Sequence, residues 1–247
     1  MLDSSARRIL DRLDPGDRVL DVGGWAKPFS RADWVIDLQP YETRGLYGQG
    51  CNGETCRAGR QQRVPPQETA PALEGFTRQT WVTRDICARE PWPFADDQFA
   101  FAICSHTLED VRDPVWVCSE LARVARAGYV EVPSRLEEQT WGIQGPWVGW
   151  GHHHWLVDVA QDGIDFVFKH HILHGRESDH FPAGFAATLT PEQRVQCLWW
   201  EGGFTFAERI FAGPEEIDAY LQGFVAVHGP PRRPRGPLAR LRGSRGR

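Results

Sequence analysis

The chain of 247 residues has a formal net charge of −5, with 41% hydrophobic and 25% charged residues. This is the composition of an ordinary globular protein, long enough to bury one sizeable core, so one domain with insertions is expected rather than two. No apolar run approaches the ~20 residues of a membrane helix, and the charges among the first 16 residues argue against a secretory signal. The six cysteines are therefore expected to be reduced thiols of a cytoplasmic protein without a membrane partner.

Charge is spread unevenly along the chain. Residues 229–247 hold seven arginines and no acid, which leaves 21 basic against 33 acidic residues, a net charge of −12, in the rest. Because an acidic domain binds phosphate backbones poorly, no nucleic-acid partner is expected. The Pro-, Gly- and Arg-rich tail is predicted to be disordered. It could contact nucleic acid or anionic lipid, but a biased genomic composition explains it adequately, since only two basic residues are lysines.

The chain begins with a predicted helix and a predicted strand. Apolar residues on one helical face predict a helix over residues 3–13. The apolar run over residues 19–22 is typical of a buried parallel strand, and Gly23 and Gly24 follow it at once. Glycine at this point allows a positive φ and a close approach of a ligand to the backbone.

A second apolar run, over residues 34–36, closes with Asp37. An acid at the end of the second strand of a doubly wound sheet is placed to hydrogen-bond both hydroxyls of a ribose. Pro28 limits any helix before this strand to a turn or two, so the Gly-x-Gly-x-x-Gly helix of a nicotinamide-binding domain is missing. The glycine turn and the acid indicate a nucleoside-containing cofactor; the alternative for Asp37 is a solvated loop acid.

Residues 39–79 show no convincing period and are rich in Gly, Gln, Arg and Pro. They are predicted to form a loop insertion, or lid, above the edge of the sheet. Cys51 and Cys56 lie in this segment. Two cysteines at this spacing are a weak metal signal, because structural zinc needs four ligands. An ordinary mobile loop is favoured over a metal knuckle.

Strands then alternate with helices. The pattern predicts strands over 81–83, 99–104 and 128–133 and an amphipathic helix over 108–126. Asp85 and Ile86 follow the first of these strands, and Ser105 and His106 follow the second. This alternation predicts a mostly parallel α/β sheet.

The pattern changes after residue 133. Residues 134–200 are expected to be a substrate-side insertion, and they contain four tryptophans before residue 156 and His152, His153 and His154. The apolar patterns predict a hairpin over 155–159 and 164–173, a helix over 191–200, a strand over 204–211 and a helix over 214–224. A terminal antiparallel pair of strands would close this edge of the sheet.

Four motifs occur in a recognisable order. They are Val-Leu-Asp-Val-Gly-Gly over 19–24, Ile36-Asp37, Asp85-Ile86 before Pro-Phe-x-Asp-Asp-x-Phe, and Cys-Ser-His-Thr-Leu-Glu-Asp-Val over 104–111. Together they resemble class I S-adenosylmethionine-dependent methyltransferases of the small-molecule branch with the "PFpDnsFD…LEH" signature. The resemblance covers residues 17–133. It implies a Rossmann-like, mostly parallel seven-stranded sheet with helices on both faces and a terminal antiparallel strand, over residues 1–228.

The resemblance also implies which residues bind S-adenosyl-L-methionine. Gly23 and Gly24 would back the amino-acid part, Asp37 would hold the ribose, and Ser105 would lie near the methionine end. Two departures stand out, since Trp25 and Ala26 replace further glycines and Leu-Glu-Asp replaces Leu-Glu-His. The full set of implied cofactor-binding residues is Asp21, Gly23, Gly24, Trp25, Asp37, Leu38, Asp85, Ile86 and Ser105.

An oxygen or nitrogen acceptor must lose a proton during methyl transfer, which calls for a base tuned near neutral pH. Histidines are the candidates, because they titrate in this range. His106 ends the fourth strand, beside the expected position of the methyl group. His152, His153 and His154 follow the fifth strand and are expected on the same edge of the sheet.

A divalent metal is a sharper hypothesis. Certain members of this family, small-RNA 2′-O-methyltransferases and O-methyltransferases of the ubiquinone pathway, bind such an ion through Glu-x-x-Glu-His and a later histidine. The matching residues here are His106, Glu109, Asp110 and His153, which are all plausible ligand types. In many family members a similar sequence binds no metal and simply caps and packs the helix.

The sequence therefore predicts an S-adenosylmethionine-dependent methyltransferase that acts on oxygen or nitrogen of a small metabolite or a sugar-like acceptor. A non-catalytic binding or scaffold protein with the methyltransferase fold is the alternative. The identity of the acceptor and the oligomeric state stay open at this point.

Overall fold

The structure, a computed structural model, describes residues 1–45 and 74–229. The predictions for the Cys51 and Cys56 loop and for the tail from residue 230 onwards lie outside the described residues. Thirteen helices and strands are needed to place the site. In chain order they are α1 (Asp3–Arg12), β1 (Val19–Val22), β2 (Trp34–Asp37), β3 (Trp81–Thr83), β4 (Phe101–Ser105), α2 (Pro114–Val124), β5 (Ala127–Pro133), α3 (Arg135–Glu138), β6 (Trp155–Val159), β7 (Gly163–Phe168), β8 (Val195–Glu201), β9 (Thr205–Glu208) and α4 (Pro214–His228).

The central sheet has six strands in the order β3-β2-β1-β4-β5-β8. The first five are parallel, and β8 pairs antiparallel with β5. The predicted Rossmann-like α/β fold with a terminal antiparallel strand is thus confirmed. The sheet has six strands rather than the predicted seven, because the strand predicted over 204–211 pairs elsewhere.

Helices cover both faces of this sheet, as predicted. Ile9 of α1 packs on one face with Val19, Val35, Phe101, Ile103 and Tyr129. Val117 and Leu121 of α2 pack on the other with Leu20, Val22, Ile36, Ala102 and Cys104. Since neighbouring residues of a strand point to opposite faces, burial on both faces explains why these strands are continuous apolar runs.

A second sheet has the order β6-β7-β9. The hairpin of β6 and β7 agrees with the prediction, and β9 joins it in parallel with β7. Leu221 of α4 packs in the small core beneath this sheet. The strand predicted over 204–211 therefore exists in shortened form, but in the second sheet.

The prediction of a helix over residues 191–200 is wrong. A short 3-10 turn, Glu192–Arg194, leads directly into β8. Leu198 and Trp200 face one core of the central sheet while Cys197 and Trp199 face the other. Because β8 has apolar residues on both faces, its sequence lacks the apolar–polar alternation that marks a half-buried strand. The segment 134–200 thus contributes most of β8 to the central sheet as well as β6 and β7 to the second.

The second helix begins later than predicted, at Pro114 rather than at residue 108. The Asp113 side chain accepts a hydrogen bond from the amide of Trp116 at 3.0 Å and caps the helix, and proline at the first helical position strengthens the start. Residues 106–110 are therefore free to form a separate turn above β4. Within the described residues, no helix is both long enough and apolar enough to cross a membrane.

The Gln196 side chain joins the two sheets, because its amide donates to the carbonyl of Val157 at 2.9 Å and accepts from the amide of Val159 at 3.4 Å. We expect Gln196→Leu to lower the free energy of unfolding by about 1–3 kcal/mol, since backbone groups of β6 lose their partners. Urea denaturation measures the change. Gln98→Leu is the control, because Gln98 makes one exposed local bond, and it should shift stability by less than ~0.5 kcal/mol. Equal effects of the two substitutions would contradict this role.

Candidate active site at the carboxyl edge of the sheet

The candidate site lies where the strand order reverses, between the carboxyl ends of β1 and β4. Open α/β sheets bind ligands in the crevice at such a point. The turn after β1 contributes Gly23 and Gly24, and the turn after β4 contributes residues 106–110. These two turns are in direct contact through Thr107, whose hydroxyl lies 3.5 Å from the carbonyl oxygen of Gly23.

Both glycines of the first turn are demanded by close packing. Gly23 has a φ of +73°, and a Cβ there would lie 2.2 Å from Oγ1 of Thr107. A Cβ on Gly24 would lie 2.3 Å from Oδ2 of Asp21. Asp21 is buried beneath the turn and accepts a hydrogen bond from the amide of Phe29 at 2.8 Å. Burial raises the pKa of Asp21 to about 7. Because its side chain packs against Gly24, this acid supports the turn from below.

Asp37 ends β2 beside this turn. Its Oδ2 accepts from the amide of Trp25 at 3.0 Å and its Oδ1 from the amide of Gln39 at 2.7 Å. Burial raises the pKa of Asp37 against the effect of these amides. A carboxylate has about four acceptor positions, and the amide of Leu38 also interacts with Asp37, so one position is left for a hydroxyl. The next side chain, Leu38, is 62% exposed and offers an apolar surface to a flat base.

The other implied cofactor residues have partners within the chain. Asp85 forms an ion pair with Arg112 at 2.7 Å, which lowers the pKa of Asp85. Ile86 is buried in the core. Ser105 lies with its hydroxyl 3.5 Å from Oε1 of Glu131. Trp25 connects the glycine turn to the next segment, because its indole donates to the hydroxyl of Thr43 at 3.0 Å.

His106 is held between two buried carboxylates. Its Nε2 lies 3.1 Å from Glu131 and its Nδ1 lies 3.4 Å from Glu109, while its backbone has a φ of +53°, which is unusual for a residue other than glycine. Partial burial opposes the charged form, but the close contacts with the two carboxylates raise the pKa of His106 to about 9. At neutral pH His106 is therefore an imidazolium with no free lone pair to accept a proton.

Glu131, which contacts Nε2 of His106, helps to keep that imidazole charged. It is 1% exposed in β5, next to the edge strand β8 of the central sheet, and it also accepts hydrogen bonds from the Tyr129 hydroxyl and from the amide of Leu2. Burial alone would raise the pKa of Glu131, but the hydrogen bonds from His106 and Tyr129 lower it to about 2. The Glu131 carboxylate is consequently charged throughout the physiological range.

A second group of polar side chains lies beyond β5. Nδ1 of His153 is 2.7 Å from Oε2 of Glu138, and its Nε2 is 3.7 Å from Oδ1 of Asp110. The buried ammonium of Lys169 binds the other oxygen of Glu138. Burial and the neighbouring acids raise the pKa of Asp110 to about 6. Burial and the neighbouring His153 lower the pKa of His152.

The structure brings together only part of the predicted metal set. Among the described residues, ligand atoms of Asp110, His152 and His153 lie within 4.8 Å of one another. His106 and Glu109 pair with each other instead. His154 is exposed, and only its backbone amide reaches this region, donating to the carbonyl of Glu109 at 2.7 Å.

Sequence reasoning missed Glu131, Glu138 and Lys169. Glu131 interrupts an otherwise apolar strand, and a charge at a core position demands a partner, so it could have been singled out. Lys169 is one of only two lysines in the chain. Glu138 gave no such signal, because it stands in a polar loop-like stretch whose burial depends on tertiary contacts.

No protein-family model and no curated protein matches the sequence. Solved structures resemble parts of it. A SAM-dependent methyltransferase from Thermotoga maritima is 18% identical over 53% of this chain and 52% of its own, with a TM-score of 0.32. A second, from Mesorhizobium loti, is 15% identical over 56% of each chain, with a TM-score of 0.32. The [4+2]-cyclase SpnF is 18% identical over 54% of this chain and 46% of its own, with a TM-score of 0.34.

The chain thus spans about half the length of these solved proteins, which include a cyclase besides methyltransferases. At such identities and TM-scores the likeness carries no argument about activity. The fold rests on the strand order of the central sheet, and the function must be argued from the site.

Replacement of Gly23 tests the packing of the first turn. We expect Gly23→Ala to lower the free energy of unfolding by roughly 1–3 kcal/mol, because a positive φ is strained in other residues and the new Cβ meets Thr107. Chemical denaturation measures the loss. Gly16→Ala is the matched control, since a Cβ at Gly16 has nothing within 4 Å; a loss there as large as at Gly23 would refute the argument.

The charged state of His106 predicts a pH dependence of stability. Its pKa is higher in the folded protein, about 9, than the ordinary value of 6.5. Between these values the folded state binds more protons, so the free energy of unfolding falls as the pH rises from 7 to 9. Denaturant titrations at several pH values should show this slope, and His106→Asn should flatten it. A wild-type protein with constant stability across this window would contradict the assignment.

Proposed function

We propose that the protein transfers a methyl group from S-adenosyl-L-methionine to oxygen or nitrogen of a small metabolite or sugar-like acceptor. The alternative is a non-catalytic binding or scaffold protein with the same fold. The cytoplasmic location expected from the sequence is part of the same proposal.

One observation carries this proposal. The turn over 106–110 touches the glycine turn at one end, where Thr107 packs on Gly23, and the histidine group at the other, where Asp110 faces His153. A candidate nucleoside site and a candidate proton acceptor are thereby joined by five residues of chain. Methyl transfer needs this juxtaposition, because the donor and the acceptor must meet in line.

The residues present fit the nucleoside half of the cofactor. Asp37 keeps an acceptor position for a ribose hydroxyl, and the exposed Leu38 offers a surface for the adenine. Gly23 and Gly24 would border the amino-acid part, with no helix directly after them. When bound, S-adenosylmethionine supplies the activated methyl group.

Among the four candidate bases, His153 is best placed to hold the acceptor and take its proton. Glu138 holds its Nδ1, and its Nε2 is separated from Asp110 by 3.7 Å. This distance is too long for a direct hydrogen bond and too short for an acceptor atom to lie in line between the two, so a hydroxyl or amino group of the acceptor would bind beside the pair, within reach of both side chains. His106 serves as a fixed cation that shapes the turn, and His152 lies next to the same pair.

A divalent ion bound by Asp110, His152 and His153 is a second candidate ligand of this site. Two imidazoles and a carboxylate within 4.8 Å form a donor set that transition metals accept. Glu138 would orient His153 in the way that outer carboxylates orient metal-binding histidines. Such an ion, when bound, supplies Lewis-acid polarisation of the acceptor.

Cofactor binding is tested with Asp37→Asn. We expect the dissociation constant for S-adenosylmethionine, measured by calorimetry, to rise about ten- to hundredfold, since hydrogen bonds to a charged group contribute roughly 1.5–3 kcal/mol. Asp165→Asn is the control, because Asp165 is exposed in the second sheet, and it should leave the affinity unchanged. Undetectable binding by the wild-type protein, or equal affinity of the Asp37 variant, would refute the cofactor site.

Metal binding is tested by titrating Mn²⁺ and Zn²⁺ into chelator-treated protein. If the ion is part of the site, His152→Ala and Asp110→Asn should each weaken binding by at least about tenfold. His171→Ala, on the exposed turn after β7, should have no effect. Absence of saturable binding by the wild-type protein would reject the metal and leave the acid-base proposal standing.

A further inference from the structure

Glu138 lies in a cluster of hydrogen-bonded polar groups near the site. Its carboxylate is 2% exposed and receives three groups at once: Nδ1 of His153, the ammonium of Lys169 and the backbone amide of Trp150 at 3.1 Å. Lys169 also donates to the carbonyl of Trp150 at 2.7 Å. Glu138 and Lys169 are thus tied to the same peptide segment.

The backbone is shaped to admit this carboxylate. Gly149 has a φ of +65°, and a Cβ there would lie 2.3 Å from both the carbonyl oxygen and Oε1 of Glu138. Only glycine fits in that position without moving the carboxylate. The loop before His153 therefore closes over Glu138 and fixes it from a second side.

An ionised carboxylate can only accept hydrogen bonds. Because the ammonium of Lys169 and the amide of Trp150 both donate to Glu138, the ring nitrogen of His153 that faces it must carry the proton. In the neutral imidazole that proton is the only one, so it lies on Nδ1 and leaves the lone pair on Nε2. Nε2 is the atom that faces Asp110 across the 3.7 Å gap.

We infer that Glu138, anchored by Lys169, is the positioning residue that keeps His153 in the Nδ1-protonated tautomer and presents Nε2 to the acceptor. The catalytic use of Nε2 rests on the proposed methyl transfer, whereas the assignment of the His153 tautomer does not depend on that proposal. A carboxylate behind a histidine that fixes its tautomer and orientation is a known way to prepare the opposite nitrogen for proton transfer. The side chains of Lys169 and Glu138 are both buried, 7% and 2% exposed.

The tautomer is tested by nitrogen NMR of histidine-labelled protein at pH 8, with chelator present. We expect the wild-type His153 to show a protonated Nδ1 and an unprotonated Nε2. Glu138→Gln should give a mixture of tautomers, because a neutral amide can both accept and donate. The matched control is Glu137→Gln, one residue earlier, whose carboxylate instead faces Arg194 at 3.4 Å and should leave the His153 signals unchanged.

A protonated Nε2 in the wild-type protein would overturn the inference, and so would a Glu138→Gln spectrum identical to that of the wild type. If Glu138→Gln fails to fold by circular dichroism, Lys169→Met takes its place; it should loosen Glu138 and broaden or split the His153 signals. Unchanged signals in a folded Lys169→Met protein would then overturn the anchoring role.

The catalytic arm uses methyl transfer from S-adenosylmethionine to an acceptor found by screening amines and hydroxyl compounds. In Glu138→Gln, kcat should fall by about tenfold or more while KM for S-adenosylmethionine is unchanged; Glu137→Gln should keep kcat. An unchanged kcat in Glu138→Gln would overturn the catalytic part. If NMR shows the expected tautomer but no acceptor is methylated, the proposed function is rejected and the positioning of His153 by Glu138 stands.

Discussion

The candidate site depends on one buried charge in the fifth strand. Moving a carboxylate out of water costs several kcal/mol unless its oxygens are well bonded, and Glu131 meets this demand with His106, Tyr129 and the amide of Leu2. The pairing holds the end of β4 in a left-handed conformation at His106. The chain turns sharply there, and this turn sets Thr107 against Gly23.

Two histidines of the site are held by carboxylates in opposite ways. Glu131 and Glu109 lie against the two ring nitrogens of His106, so its proton stays on the ring at neutral pH. Glu138 binds only Nδ1 of His153, and Nε2 faces the carboxylate of Asp110 at the longer distance of 3.7 Å. The first arrangement stabilises a turn and the second leaves Nε2 available to an acceptor, so the number of ring nitrogens in close contact with a carboxylate decides what each ring can do.

Sequence reasoning succeeded where a pattern depends on neighbours along the chain. The runs at β1 and β2 are apolar because both faces of a parallel sheet are buried, and the glycines and Asp37 mark the ends of these strands. It failed for β8, where an edge strand has apolar residues on both faces, and for the start of α2, where the Asp113 cap overrides a longer amphipathic pattern. The residues at the strand ends were therefore more predictable than the contacts among the histidines and carboxylates beyond them.

The α/β class, the glycine turn, the acid that ends β2 and the histidine-rich composition of residues beyond β5 follow from the sequence alone. Only the tertiary structure decided which of these polar residues meet. Asp110 and His153 are 43 positions apart, and Lys169 reaches Glu138 from the second sheet. Such contacts follow from how two sheets and their loops pack, which no local period encodes. The state of each histidine is likewise a property of its buried neighbours, because protonation responds to desolvation and nearby charge rather than to residue type.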